Sequence, residues 1–167
     1  MRKFHKSEYC CNGLKKDFNM GFHPAMLYFF PIGWLISLPI NFLIDSIVLL
    51  IGFKIFGKEN VGYNWKKSII KSWIFGYIAD VIASLLMLLA EAVAGAFRTS
   101  VMLNPFGGIF PFAATFFSVA VAGVLIFVFN YNIALNKTEL DQKAKKKVAL
   151  LMAIATAPYL FFMPVAF

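Results

Sequence analysis

From Ile109 to Leu135 the chain carries no charged side chain, and three further stretches, 25–53, 69–97 and 148–167, are nearly as apolar. Runs of this length dictate the solvent. A helix that crosses a bilayer needs about 20 mainly apolar residues, whereas the helices of soluble domains keep a polar face. Backbone amides in hydrocarbon must be paired within their own segment, so these runs predict helices. An outer-membrane barrel would show short segments of alternating polarity instead. The expected fold is an all-α integral membrane helical bundle of about four transmembrane segments, 25–53, 69–97, 109–135 and 148–167, preceded by a basic N-terminal tail, 1–24.

Composition narrows the function classes. Of 167 residues, 60% are hydrophobic and 14% charged, against about 45–50% apolar and about 25% charged in soluble domains. A disordered chain, a disulfide-stapled secreted domain and an ordinary soluble enzyme are excluded. Cys10 and Cys11 are adjacent in the tail, and a disulfide between neighbours is strained, so they read as two free thiols. His5 and His23 are the only histidines. No metal-ligand spacing accompanies them, and neither a metal nor another cofactor is expected. The tail is followed by a run too long for a signal peptide, with no small-residue cleavage site.

The charges suggest a topology. Sixteen Lys and Arg stand against eight Asp and Glu, a net +8. They gather in the tail, in 54–71 and in 136–147, and cytoplasmic loops collect such residues. The first segment either crosses the membrane or breaks at Pro31 and Pro39 into a re-entrant hairpin. Both arrangements put the loops 54–68 and 136–147 in the cytoplasm, with the bundle in the plasma (inner) membrane. Lys66, Lys67, Lys143, Lys145, Lys146 and Lys147 then hold helix ends at the anionic leaflet, or dock a lipid headgroup or an acidic partner. Split between loops, without an aromatic stripe, they do not describe a nucleic-acid site.

Polar residues inside the apolar segments are where function would show. A carboxylate at the centre of a spanning helix costs about 2.5–3.5 kcal/mol on insertion scales, so it is protonated, hydrogen-bonded or facing water. Asp80 and Glu91 are eleven residues apart, about three helical turns, and so share a face. Trp73, Tyr77, Ser84 and Arg98 lie near the same line. Asn41 and Asp45, four residues apart, mark one side of the first segment, with Trp34 and Ser37 close by. Thr115, Ser118, Ala122 and Gly123 give the third segment a small surface that invites close helix approach.

Two readings compete for these groups. In one, Asp45, Asp80 and Glu91, with Asn41 and Ser84, line a route for a cation or proton. In the other they are hydrogen-bonding glue between helices, with Glu91 reaching toward Arg98. The first makes the chain a small transport or channel-type protein, a homo-oligomer or a subunit of a larger complex, because about four helices enclose little water. The alternative is a non-transporting accessory or assembly subunit that docks a partner through its lysine-rich loops. No HExxH, GxSxG, CxxC or glycine-rich phosphate loop is present, so the chain does not read as an enzyme. A lipid-modifying enzyme using His23 is the least supported reading. Membrane lipids are expected as partners.

Overall fold

The computed structural model describes Pro24, Tyr28 and residues 31–57, 60–96 and 99–164. Those residues form four α-helices: α1 (Pro31–Gly52), α2 (Val61–Ala96), α3 (Ile109–Phe129) and α4 (Gln142–Thr156). α1 and α3 each end in a π turn, Phe53–Gly57 and Asn130–Ala134, and a 3-10 turn, Tyr159–Phe162, follows α4. No strand occurs among the described residues. The all-α bundle expected from the apolar runs is the fold observed.

α1, α2 and α3, counted with their π turns, are long and apolar enough to cross a membrane. Their outward faces carry Leu35, Leu43, Ile70, Leu89, Phe116 and Phe117, all exposed. A soluble monomer rarely exposes so continuous an apolar surface; hydrocarbon is its natural solvent. The protein is a helical membrane protein.

The outer helices depart from the sequence segments in instructive ways. Pro39 stands inside α1, which runs unbroken from Pro31 to Gly52, so the re-entrant hairpin does not form. A proline removes one helical hydrogen bond and bends the axis, but the helix continues. α4 has 15 residues and stops at Thr156, giving about 22 Å at ~1.5 Å per residue, short of the ~30 Å hydrocarbon core. Asp141 caps its start by accepting from the Ala144 N–H at 2.6 Å. Pro158 forces the preceding Ala157 into extended backbone, which ends the helix.

α2 begins at Val61, inside the stretch 54–68 expected as a loop. At 36 residues it is about 54 Å long, so its first turns extend beyond the hydrocarbon. Lys66 and Lys67 sit on those turns. Lysine favours helix; the charges mark where the membrane ends and not where the helix does. Asn60 precedes α2 with φ 49, a left-handed conformation that asparagine tolerates.

α2 is the central helix, packed against α1 on one side and α3 on the other. Its buried positions include Asn64, Ser68, Ser72, Gly76, Asp80 and Ser84, a ladder at i+4 spacing of small or polar residues. Small side chains let neighbouring backbones approach closely where packing replaces the hydrophobic effect as the driving force. Two apolar clusters flank it. Leu49, Phe53, Ile126, Leu135, Val148 and Met152 fill the end near the π turns. Ala83, Met87, Val101, Val119 and Phe161 fill the other. The two basic connections meet at the first end. The Asn60 side-chain amide donates to Glu139 at 3.1 Å, and the Glu139 N–H donates to the Asn64 side chain at 3.0 Å.

Candidate functional site

Three side-chain hydrogen bonds set α1 against α2. Trp65 Nε1 donates to Ser46 Oγ at 3.0 Å, and Trp73 Nε1 donates to the Leu38 carbonyl at 3.0 Å. Asn41 Nδ2 donates to Asp80 Oδ2 at 3.2 Å. The indole donors hold the helices together while the third bond fixes a carboxylate between them. Trp73 also meets Phe42 edge-on, with ring centroids 5.6 Å apart.

Asp80 and Asp45 are each only 5% exposed. Along α2, Asp80 lies eleven residues past Ile69, about 16 Å into the apolar stretch. Tyr28 reaches it from outside α1, its hydroxyl donating to Asp80 Oδ2 at 3.1 Å. Both donors converge on one oxygen. The other, Oδ1, is buried with no hydrogen-bond partner, as are the hydroxyls of Ser37, Tyr77 and Ser84. Buried polar atoms are nearly always paired, which sets this carboxylate apart from that of Glu91.

Asp45 enters the same region from α1. It lies against Gly76, where an added Cβ would come within 3.2 Å of Asp45 Oδ2, and beside Thr156 at the end of α4. Gly76 is thus the α2 position where only the smallest residue leaves the carboxylate room. Asp45, Asp80, Asn41, Ser37, Tyr28 and Thr156 all line one cavity of about 340 Å³ between α1, α2 and the turn that follows α4. No Lys, Arg or His is among the described residues that line it.

The sequence-derived residues therefore divide. Asn41, Asp45 and Asp80 come together. Ser84 is buried one turn further along α2 with its hydroxyl unpaired, outside the cavity lining. Glu91 is elsewhere: its carboxylate accepts from Ser100 Oγ at 2.6 Å and from the N–H groups of Val101 and Met102 at 2.7 and 2.9 Å. These bonds tie the end of α2 to the turn that leads into α3. Arg98, proposed as its partner, lies outside the described residues, as do Cys10, Cys11, His5 and His23. No group of three His, Cys, Asp or Glu suited to a metal ion occurs among the described residues.

Tyr28 and Gly76 escaped the reading of the sequence. A tyrosine at a segment end gives no local signal of its target 52 positions away. Gly76 could have been found from the i+4 ladder of small residues. A second buried polar contact was missed as a pair, Ser72 Oγ donating to Asn130 Oδ1 at 2.5 Å while Asn130 Nδ2 donates to the Ile126 carbonyl at 2.9 Å. This one is closed, with each group satisfied by a neighbour.

At the basic end, Lys66, Lys67, Lys143, Lys146 and Lys147 are exposed, and Lys145 is half-buried. Lys67 Nζ stands 4.0 Å from the centre of the Tyr63 ring and Lys147 Nζ 5.6 Å from that of Phe56. Amphipathic stems lying on aromatic faces, with the charge outward, suit a membrane surface.

No family model matches the chain, and neither a curated protein nor a solved structure is similar to it at a significant level.

Proposed function

We propose that this membrane protein moves a cation or proton through the cavity between α1 and α2, with Asp80 as the principal ligand and Asp45 and Asn41 as its companions. The observation that carries the reading is a cavity within the apolar bundle whose described lining holds two carboxylates, Asp45 and Asp80, and no basic side chain. Asp80 also keeps one oxygen without a partner, and the unmet desolvation of a buried polar atom costs about 1–3 kcal/mol and more for a charged one. Intramembrane acids of this kind mark ion and proton routes. Glu91, saturated by the 100–102 turn, has no part in the route.

Three helices long enough to span are few to surround a water-filled pore, and the working form in this reading is a homo-oligomer or a subunit within a larger complex. The basic end faces the cytoplasm of the plasma (inner) membrane by the distribution of lysines, its side chains against anionic headgroups. Reconstitution into liposomes tests the reading. Proton, Na+ or K+ flux should appear with the parent protein and fall roughly tenfold or more in Asp80→Asn, the range expected when a charged ligand becomes neutral. A parent protein inert to all three ions, or an Asp80→Asn variant that conducts normally, would dismiss it.

A second reading has one observation of its own, the exposed cluster Lys66, Lys67, Lys143, Lys146 and Lys147 around a single end of the bundle. In it the protein is an accessory subunit whose lysines hold an acidic cytoplasmic partner. Replacing Lys143, Lys146 and Lys147 by Gln should then abolish co-purification of that partner while the bundle stays folded. Retention of the partner would dismiss this one.

A further inference from the structure

The cavity lining is of two kinds. Asp80 and, on α1, Asp45, Asn41 and Ser37 bring polar groups to it. Beside them on α1 are Ile36, Ile40 and Ile44, and the C-terminal turn adds Leu160 and Phe161. Ile36, Ile40, Ile44 and Leu160 are 54%, 49%, 42% and 60% exposed, so they form a rim on the lipid-facing exterior as well as a lining. Among the described residues the cavity therefore opens sideways, toward hydrocarbon.

We propose that this site takes an organic ammonium ion, a molecule with at least one N–H on a cationic nitrogen and an apolar body, which enters from the lipid side. The proposal rests on the cation reading above and names its substrate class. An inorganic cation needs oxygens converging from all sides to replace its water, six or more for the hard divalent ions. Much of the lining here is apolar, with Ile36, Ile40, Ile44, Leu160 and Phe161 beside the polar groups. An ammonium needs only one directional partner. Its N–H would meet the carboxylates that line the cavity, Asp80 and Asp45, in a charge-assisted hydrogen bond of the strong kind. The apolar body would lie on the isoleucines, Leu160 and the Phe161 ring. Size agrees: a cavity of about 340 Å³ falls at the lower end of pockets that hold small organic ligands, about 300–1,000 Å³. A requirement for N–H follows from the chemistry of the carboxylates, which accept hydrogen bonds, since a quaternary nitrogen presents only carbon to them.

Titration calorimetry of the full chain in detergent, with 2-phenylethylammonium chloride as probe, tests this. Saturable binding is expected, weakened roughly tenfold or more by Asp80→Asn, in line with loss of a charged hydrogen-bond partner. The trimethylated analogue and the neutral 2-phenylethanol should bind much more weakly. Ile40→Trp, at an exposed rim position, should close the mouth and reduce binding as strongly without touching either acid, which serves if Asp80→Asn fails to fold. No saturable binding, binding equal in both variants, or equal binding of 2-phenylethanol would overturn the proposal. If the amine fails to bind while liposomes still conduct protons or Na+ through Asp80, the site is inorganic and the cation reading survives. If the amine binds through Asp80 but nothing is transported, the ligand class stands and the transport reading falls.

Discussion

Asp80 and Glu91 stand on one helix, eleven residues apart and on one face, yet they do opposite things. Glu91 gathers a hydroxyl and two backbone N–H groups from the turn at 100–102. Its carboxylate is used up in closing the α2–α3 connection. Asp80, which lines the cavity, has its donors, Tyr28 and Asn41, on one oxygen and leaves the other buried without a partner. The difference is one of completion. On the reading proposed above, Glu91 holds structure and Asp80 serves a ligand, so the two should respond in different measurements when they are neutralised.

The largest expected effect is functional. Asp80→Asn should lower cation or proton flux in liposomes roughly tenfold or more, whereas Glu91→Gln should leave flux of the folded protein unchanged. Equal losses in both variants would erase the contrast between them. Next in size is stability. Glu91→Ala strands three donors and should lower resistance to thermal or SDS unfolding in detergent by about 2–3 kcal/mol, the range for hydrogen bonds to a charged group. Asp80→Asn, which keeps an acceptor for Tyr28 and removes a buried charge, should change unfolding by less than about 1 kcal/mol. A stability loss at Asp80 as great as that at Glu91 would turn Asp80 into scaffold.

Smaller effects sharpen the same comparison within the closed polar contacts. Asn130→Ala, which leaves Ser72 without its acceptor, should cost about 1–2 kcal/mol of stability with no change in flux. Trp73→Phe keeps the ring against Phe42 but deletes the bond to the Leu38 carbonyl; a loss of about 0.6 kcal/mol is expected, typical of polar contacts between membrane helices.

Much of the bundle was legible in the residues themselves. The apolar runs fixed the solvent, and pairing of amides in hydrocarbon fixed the helices. Helical periodicity put Asn41 and Asp45 on one side of α1 and Asp80 on a polar face of α2. Periodicity also joined Glu91 to that face, where it meets the 100–102 turn and not the cavity, because a shared face says nothing about what lies opposite at each level. The hairpin at Pro39 failed for a related reason. Proline weakens a helix locally, but continuous packing against α2, with the Trp73 bond to Leu38, carries α1 through it. The basic stretch before Ile69 was read as loop because polarity reports depth in the membrane, while helix formation continues into water.

What the sequence alone determined is a membrane-bound set of helices with a few acids that could not face lipid, since those properties depend on composition and on the 3.6-residue repeat. Only the tertiary structure decided which acid is satisfied and which is open. That depends on contacts between residues far apart in the chain: Tyr28 reaching Asp80, the 100–102 turn wrapping Glu91, Gly76 leaving room for Asp45. Such contacts follow from how the helices cross and how their connections fold, and no local pattern encodes them.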